Sequence, residues 1–141
     1  MRKTLTLMME SLSIMQSTPQ VIVLEETPWL TSGLRREWSG QNVRVLFRDS
    51  IDSETESTIR NECQLLIIDM ETLPVTGVTG LKIARKMNRQ SNFLCLINHD
   101  QRDHARDLID LGAICYFEKP ISVHELASRC QPFITQISIS T

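Results

Sequence analysis

The sequence lacks the signals of several common protein classes. Its four cysteines lie far apart and form neither a C-x-x-C pair nor a zinc-ligand spacing, so we expect reduced, buried thiols in a cytosolic protein. No glycine-rich loop follows the first apolar run, which excludes dinucleotide-binding and P-loop motifs. No apolar run approaches the roughly 20 residues that span a membrane. With a formal net charge of -2, the chain has no overall attraction to nucleic acid or to an anionic membrane.

The chain has the size and composition of one globular domain. It has 141 residues, of which 41% are apolar and 23% are charged. The first residues begin like a secretory signal, with two positive charges and an apolar stretch, but Glu10 interrupts the stretch and no small-residue cleavage site follows. We therefore expect an N-terminal tail at 1–19, a domain at 20–133 and a C-terminal tail at 134–141.

Short apolar runs alternate with amphipathic stretches along the domain. The predicted strands are 20–26, 43–48, 64–69, 93–98 and 114–119, and the predicted helices are 28–38, 53–62, 80–88, 101–112 and 122–133. Strands that are apolar on both faces are typical of a parallel sheet that is covered by helices on both sides. The sequence therefore predicts a doubly wound α/β domain with a five-stranded parallel sheet.

Charged residues end three of the predicted strands. Glu25 and Glu26 end the first, Asp69 ends the third, and Lys119 ends the fifth, directly before Pro120. Because the carboxyl ends of parallel strands meet at one edge of the sheet, we expect these side chains to lie together there. Clustered carboxylates repel each other unless a cation such as Mg²⁺ neutralises them. An aspartate beside a metal and a lysine is placed to attack phosphorus and form an acyl phosphate.

The order of these motifs resembles the receiver domain of two-component response regulators. The resemblance rests on the first strand ending in "EE", on "LLIID" in the third strand, on a loop with proline and glycine, and on "YFEKP" at the fifth strand. It covers residues 20–133. It implies the flavodoxin-like (βα)5 fold with strand order 2-1-3-4-5, and a cytoplasmic signalling domain rather than an enzyme. A histidine kinase or phosphotransfer protein would be the phosphoryl donor.

The resemblance assigns a chemical role to each matching residue at the strand ends. Asp69 would be the phosphoacceptor, and Lys119 would contact the phosphoryl group. The groups implied to hold a weakly bound Mg²⁺ are the side chains of Glu25, Glu26 and Asp69 and the backbone carbonyl of Glu71.

The chain departs from the family's pattern at three places. One is the loop after Asp69, which is longer than usual. Pro74 falls one place late, and either Gly77 or Gly80 could be the glycine before the third helix, with "GLKIARKM" favouring Gly80.

The other two departures concern residues at the strand ends. The second acid is usually an aspartate, so the longer Glu26 has to fold back to reach a metal. The fourth strand usually ends in a serine or threonine whose hydroxyl bonds the phosphoryl group. Ile97 falls at that position, and Asn98 could supply an amide only if the register slips by one. The resemblance implies that Tyr116 is the aromatic residue of the switch, and we expect Ile97 to obstruct its inward rotation. Pro120 is expected to have a structural role.

Three functions remain open at this point. The first is a phosphoaccepting receiver, and the second is a pseudo-receiver that binds proteins without phosphorylation. The third is a small phosphotransfer enzyme. The phosphatases that use an aspartyl nucleophile need a D-x-D motif and a capping insert. This chain has Asp69 and Glu71 at that spacing, and it has no such insert. In the first two, the fourth helix, fifth strand and fifth helix would bind a downstream protein, with no direct contact to nucleic acid or membrane. A homodimer is left open.

Overall fold

A computed structural model describes residues 18–87, 92–110, 113 and 115–139. The strands are β1 (Gln20–Leu24), β2 (Arg44–Arg48), β3 (Cys63–Asp69), β4 (Asn92–Ile97) and β5 (Cys115–Glu118). The helices are α1 (Trp29–Glu37), α2 (Ser53–Asn61), α3 (Pro74–Met87), α4 (Ala105–Asp110) and α5 (Val123–Ile139), and a 3₁₀ turn (His99–His104) precedes α4. Of the two predicted tails, residues 1–17 and 140–141 lie outside the described residues.

The five strands form one parallel sheet in the order β2-β1-β3-β4-β5. This confirms the predicted topology. Because alternate residues of a strand face opposite sides, Leu66 and Ile68 of β3 join one core cluster, and Leu65 and Ile67 join the other. The first cluster packs under α2, α3 and α4, and the second packs under α1 and α5.

Helix α3 begins at Pro74 rather than at the predicted residue 80. Proline suits the first turn of a helix because its missing N–H would have no partner there. Gly77 was expected in the loop and Gly80 at the start of the helix, but both lie inside the helix, at positions where the helix approaches the sheet closely. A Cβ at Gly77 would lie 2.5 Å from the Met70 Sδ, and one at Gly80 would lie 2.8 Å from a methyl group of Leu24.

Helix α5 also exceeds its predicted bounds. It continues through Pro132 to Ile139 rather than ending at residue 133, so most of the expected C-terminal tail is helical. Among the described residues, no helix combines the length and the apolarity that crossing a membrane requires.

Two backbone bonds continue the ladder just past the strand ends. The N–H of Met70 donates to the Leu96 carbonyl at 2.8 Å, and the N–H of Lys119 donates to the Ile97 carbonyl at 2.7 Å. These bonds hold the residues that follow β3 and β5 against the end of β4. The carboxyl edge of the sheet is therefore a fixed platform for the side chains of Asp69 and Lys119.

Candidate functional site

An open cavity of about 530 Å³ lies at the carboxyl edge of the sheet. The predicted site residues that line it are Glu25, Glu26, Asp69, Glu71, Asn98, Lys119 and Pro120. Apolar side chains of α1 and of the loop after β5 complete the wall, among them Trp29, Leu30 and Ile121. The structure thus brings together all the predicted site residues except Ile97 and Tyr116.

Asp69 and Lys119 form a close ion pair in this cavity. Asp69 is 3% exposed, and its Oδ2 accepts a hydrogen bond from the Lys119 Nζ at 2.8 Å. The same Nζ donates to the Glu71 Oε1 at 3.1 Å, and the Glu71 N–H donates to the Asp69 Oδ1 at 3.1 Å. A cis peptide bond joins Lys119 to Pro120.

The electrostatics of this group keep the lysine charged. Burial alone would lower the pKa of Lys119, but its hydrogen bonds to Asp69 and Glu71 and the charges of these two carboxylates raise the pKa above the ordinary value. The ammonium group therefore neutralises part of the negative charge that the neighbouring carboxylates bring to the edge of the sheet.

The carboxylate of Glu25 is occupied by helix α1. Glu25 is 2% exposed, and its two oxygens accept the backbone N–H groups of Leu30 and Thr31, each at 2.8 Å. The hydroxyl of Thr31 adds a bond of 2.6 Å. Glu25 lines the cavity, but its lone pairs are directed to the first turn of the helix.

Glu26 differs from Glu25 in its exposure and in its hydrogen bonds. It is exposed, and its backbone N–H donates to the Thr72 Oγ1 at 3.1 Å. Its carboxylate has no hydrogen-bond or ion-pair partner among the residues that the structure describes. The two acids of the pair therefore have separate environments, one buried and bonded and the other open to solvent.

Part of the predicted magnesium site fits these positions. Mg²⁺ commonly keeps several waters and takes only one or two protein carboxylates, and Glu26 and Asp69 offer two, with the backbone carbonyl of Glu71 beside them. Glu25 does not fit, because its oxygens already hold buried donors. Within the described ranges, no group of three or more His, Cys, Asp or Glu side chains has the arrangement of a metal site. A cation here would be held by few protein ligands.

Ile97 and Asn98 lie where β4 ends. The strand ends at Ile97 without a register slip, and the Ile97 side chain is fully buried in the core cluster under α4. Asn98 lines the cavity, but its Oδ1 caps the 3₁₀ turn by accepting the N–H of Gln101 at 2.9 Å. The Gln101 Oε1 in turn accepts the N–H of Asn98, and the Gln101 Nε2 donates to the Met70 carbonyl at 2.7 Å.

Tyr116 lies on the outer side of β5 and is 39% exposed. It borders a shallow depression with Arg102, Arg106 and Ile109. Beside it, the Arg102 guanidinium donates two bonds of 2.8 and 3.0 Å to the Glu118 Oε2. These contacts tie the turn that precedes α4 to strand β5.

Several of these contacts could not be predicted from the sequence. His99 and Arg102 meet Glu118 across 19 and 16 positions of the chain, and no local motif marks such a distant pairing. The role of Glu25 as the acceptor for helix α1 had one signal. Pro28 begins the helix without a polar side chain, so an acceptor had to come from elsewhere in the chain.

The sequence matches no protein-family model and no curated protein. The structure matches several solved structures. A CheY-like response regulator receiver domain protein from Methanospirillum hungatei has a TM-score of 0.70 at 14% identity, over 89% of this chain and 100% of that one. A response regulator from Thermotoga maritima has a TM-score of 0.68 at 18% identity, over 84% and 98% of the two chains.

A structure named adenylate cyclase, from Rhodopirellula baltica, is similar to a comparable degree. Its TM-score is 0.69 at 17% identity, over 87% of this chain and 92% of that one. At these identities the likeness concerns the fold. This chain has the fold of the response-regulator receiver domains.

Proposed function

We propose that this chain is a signalling receiver domain that accepts a phosphoryl group on Asp69 from a histidine kinase or a phosphotransfer protein. The observation that carries the proposal is the Asp69–Lys119 pair, 2.8 Å apart, inside an open cavity at the carboxyl edge of a sheet of the receiver type. A carboxylate oxygen of Asp69 attacks phosphorus, the bond from phosphorus to the donor's imidazole nitrogen breaks, and an acyl phosphate results.

Lys119 supports this transfer with a charge that is already in place. Its ammonium group pairs with Asp69 before the reaction and lies close enough to follow the negative charge onto the phosphoryl oxygens. Glu71 shares the same ammonium group at 3.1 Å, so the incoming phosphoryl group competes with the Glu71 carboxylate for it.

A magnesium ion belongs to this proposal as the second positive charge. The groups that would hold it are the carboxylates of Glu26 and Asp69 and the carbonyl of Glu71, with water completing the shell. When bound, the ion neutralises negative charge on the phosphoryl oxygens. Glu26 brings to the cavity wall a carboxylate that has no partner among the described residues, but its longer side chain has to lose rotamer freedom in order to chelate.

The output of the domain is a protein-binding surface on α4, β5 and α5. Ile109 and Tyr116 are 41% and 39% exposed there, and Arg102 and Arg106 border the same depression. Asp103 and Asp107 border the depression as well, and Arg102 is paired with Glu118. An apolar centre with neighbours of both charges suits a downstream protein that offers an apolar anchor within a polar rim. We propose no enzymatic activity beyond self-phosphorylation and hydrolysis at Asp69.

Intact mass spectrometry tests phosphoryl acceptance. The protein is incubated with phosphoramidate or acetyl phosphate and Mg²⁺, beside an Asp69→Asn variant and an Asp49→Asn variant as a matched control at an exposed aspartate. We expect the wild type and the Asp49 variant to gain one phosphoryl group, and the Asp69 variant to gain none. No gain in the wild type, or an equal gain in the Asp69 variant, would contradict the proposal.

A second candidate function is a pseudo-receiver that binds its partner without phosphorylation. Two observations favour it: Ile97 offers no hydrogen-bond donor at the end of β4, and Glu25 is committed to helix α1. Under this alternative the mass of the protein stays unchanged in the same experiment, and the surface on α4, β5 and α5 keeps one conformation.

A further inference from the structure

The two tryptophans of the α1 region have opposite environments. Trp38 is 3% exposed and belongs to the core cluster under α1 and α5, whereas Trp29 is 71% exposed and belongs to neither core cluster that the described residues form. An indole stabilises a fold chiefly through the area that it buries, so Trp29 contributes little to the core. Tryptophan is enriched among the residues that dominate binding energy at contact sites. Trp29 lines the cavity that contains Asp69 and Lys119.

The backbone that carries Trp29 is anchored on both sides. The Trp29 N–H donates to the Thr27 carbonyl at 2.7 Å, and the ring of Pro28 restricts the backbone directly before it. The next residue, Leu30, is buried, and its N–H donates to the Glu25 carboxylate at 2.8 Å. The exposed indole therefore extends from an anchored helical turn and not from a free loop.

The cavity has a charged floor and an apolar rim. The floor consists of Asp69, which is buried, and Lys119, which is half-buried. The rim consists of Trp29 and Pro120, which are exposed, and Ile121, which is half-buried. In phosphoryl transfer the attacking and leaving atoms lie roughly in line on opposite sides of phosphorus. Because Asp69 attacks from the floor, the leaving group lies toward the opening, at the level of the rim.

We propose that Trp29 determines the specificity for the phosphoryl donor, because its indole stacks on the imidazole ring that leaves. This inference rests on the proposed function. An Asp69 oxygen forms a bond to phosphorus, and the bond from phosphorus to the ring nitrogen breaks with its electron pair going to that nitrogen. Because the second ring nitrogen is already protonated, the ring leaves as neutral imidazole. Before the transfer the protonated ring is a cation, and the face of an indole attracts flat aromatic rings and cations.

Two small donors with the same type of phosphorus–nitrogen bond isolate the contribution of the ring. Phosphoimidazole carries the ring, and phosphoramidate carries only an amino group. Intact mass spectrometry gives the rate at which each donor, with Mg²⁺, phosphorylates the full chain. Trp29→Ala should lower the rate with phosphoimidazole about three- to tenfold and change the rate with phosphoramidate by less than about twofold. Each variant is compared with the wild type for the same donor, so the different reactivities of the two donors cancel.

Three further variants show whether the ring of Trp29 is responsible. Trp29→Phe keeps an aromatic face and should keep most of the rate with phosphoimidazole, whereas Trp29→Leu keeps only an apolar side chain and should resemble Trp29→Ala. Val75→Ala is the matched control, because Val75 is 79% exposed and is not one of the described residues that line the cavity. Its rates with both donors should equal those of the wild type. Because Trp29 lies outside the core clusters, the Tm of Trp29→Ala should stay within about 2 °C of the wild type.

The outcomes separate this inference from the proposed function. An equal loss with both donors, or the full wild-type rate with phosphoimidazole in Trp29→Ala, would overturn the role of Trp29 and leave Asp69 as the phosphoacceptor. A rate in Trp29→Leu as high as that in Trp29→Phe would also overturn it, because leucine cannot stack. If neither donor modifies the wild type, the proposed function fails, and the inference fails with it.

Discussion

Replacing Ile97 by threonine should introduce a phosphorylation-dependent switch that we expect to be absent from the wild type. In the family that the sequence resembles, a hydroxyl at the end of the fourth strand moves toward the phosphoryl group, and the aromatic side chain of the fifth strand turns inward behind it. Ile97 has no hydroxyl and is completely buried, whereas Tyr116 is 39% exposed. Packed cores resist added volume, so we expect one conformation of the surface on α4, β5 and α5 in the wild type, whether or not Asp69 is modified.

The cost of the substitution follows from the burial of Ile97. Truncation to a side chain of valine size costs about 0.5–1.5 kcal/mol, and a buried hydroxyl without a partner adds about 1–3 kcal/mol. Ile97→Val is the matched control, because it removes the same carbon without adding the hydroxyl. The difference between the two variants isolates the cost of the hydroxyl in the unmodified protein.

Modification of Asp69 should restore the stability that the buried hydroxyl of Ile97→Thr removes. Beryllofluoride with Mg²⁺ mimics the phosphoryl group, and a hydrogen bond from the new hydroxyl to this charged acceptor is worth about 1.5–3 kcal/mol. A ligand shifts a two-state equilibrium only by its differential affinity for the two states. We therefore expect beryllofluoride to stabilise Ile97→Thr more than Ile97→Val by about that amount, and to shift the amide signals of 99–110 and 115–118 only in the threonine variant.

The wild-type spectrum decides whether this reasoning holds. With beryllofluoride, wild-type shifts should remain confined to residues that line the cavity. Large shifts that spread through α4 and β5 in the wild type would refute the argument. They would show that another donor, of which the side-chain amide of Asn98 is the nearest candidate, has taken over the role of the missing hydroxyl.

Three further predictions follow from the site and the core. Lys119→Met should lower the free energy of unfolding by about 2–4 kcal/mol, because it leaves the buried Asp69 carboxylate without its cation. Folding raises the pKa of Lys119 above 10.5, so urea titrations should show the full loss at neutral pH and a smaller difference between the two proteins as the pH rises past that value. A difference that does not change with pH would contradict the ion pair. Glu26→Asp should tighten Mg²⁺ binding, and submillimolar affinity in the wild type that the substitution leaves unchanged would count against the account. A thiol reagent at mildly alkaline pH should modify the half-buried Cys115 first, and immediate reaction of all four thiols in the native protein would contradict the burial found here. Burial raises the pKa of the other three thiols to about 12, and these are Cys63, Cys95 and Cys130.

The strands were predictable because their signal is local. Leu65 to Ile68 are apolar without interruption, and a run that is this short and ends in two β-branched residues is typical of a strand covered on both faces. The strand ends were marked by the charged residues that follow, and for this reason the positions of Asp69 and Lys119 at one edge could be inferred without coordinates.

The features that sequence reasoning missed depend on distant contacts. Nothing in "EE" distinguishes Glu25 from Glu26, because the difference arises only when α1 presents its free N–H groups to one of them. The predicted start of α3 at residue 80 is too late, because Pro74 and Gly77 were interpreted as loop residues. Pro74 begins the helix, and Gly77 lies inside it, where close packing against the sheet requires glycine. The ion cluster at Glu118 likewise needs the folded arrangement of β5 beside the 3₁₀ turn.

The central claim is that Asp69 carries the phosphoryl group, and locating that group on the chain tests it most directly. After treatment with phosphoramidate and Mg²⁺, borohydride reduces an aspartyl phosphate to homoserine, which peptide mass spectrometry assigns to one position. We expect homoserine at position 69 in the treated wild type, and none when the phosphoryl donor is omitted. An unreduced Asp69 in the treated protein, or a reduced side chain at Glu26 or Glu71 instead, would contradict it.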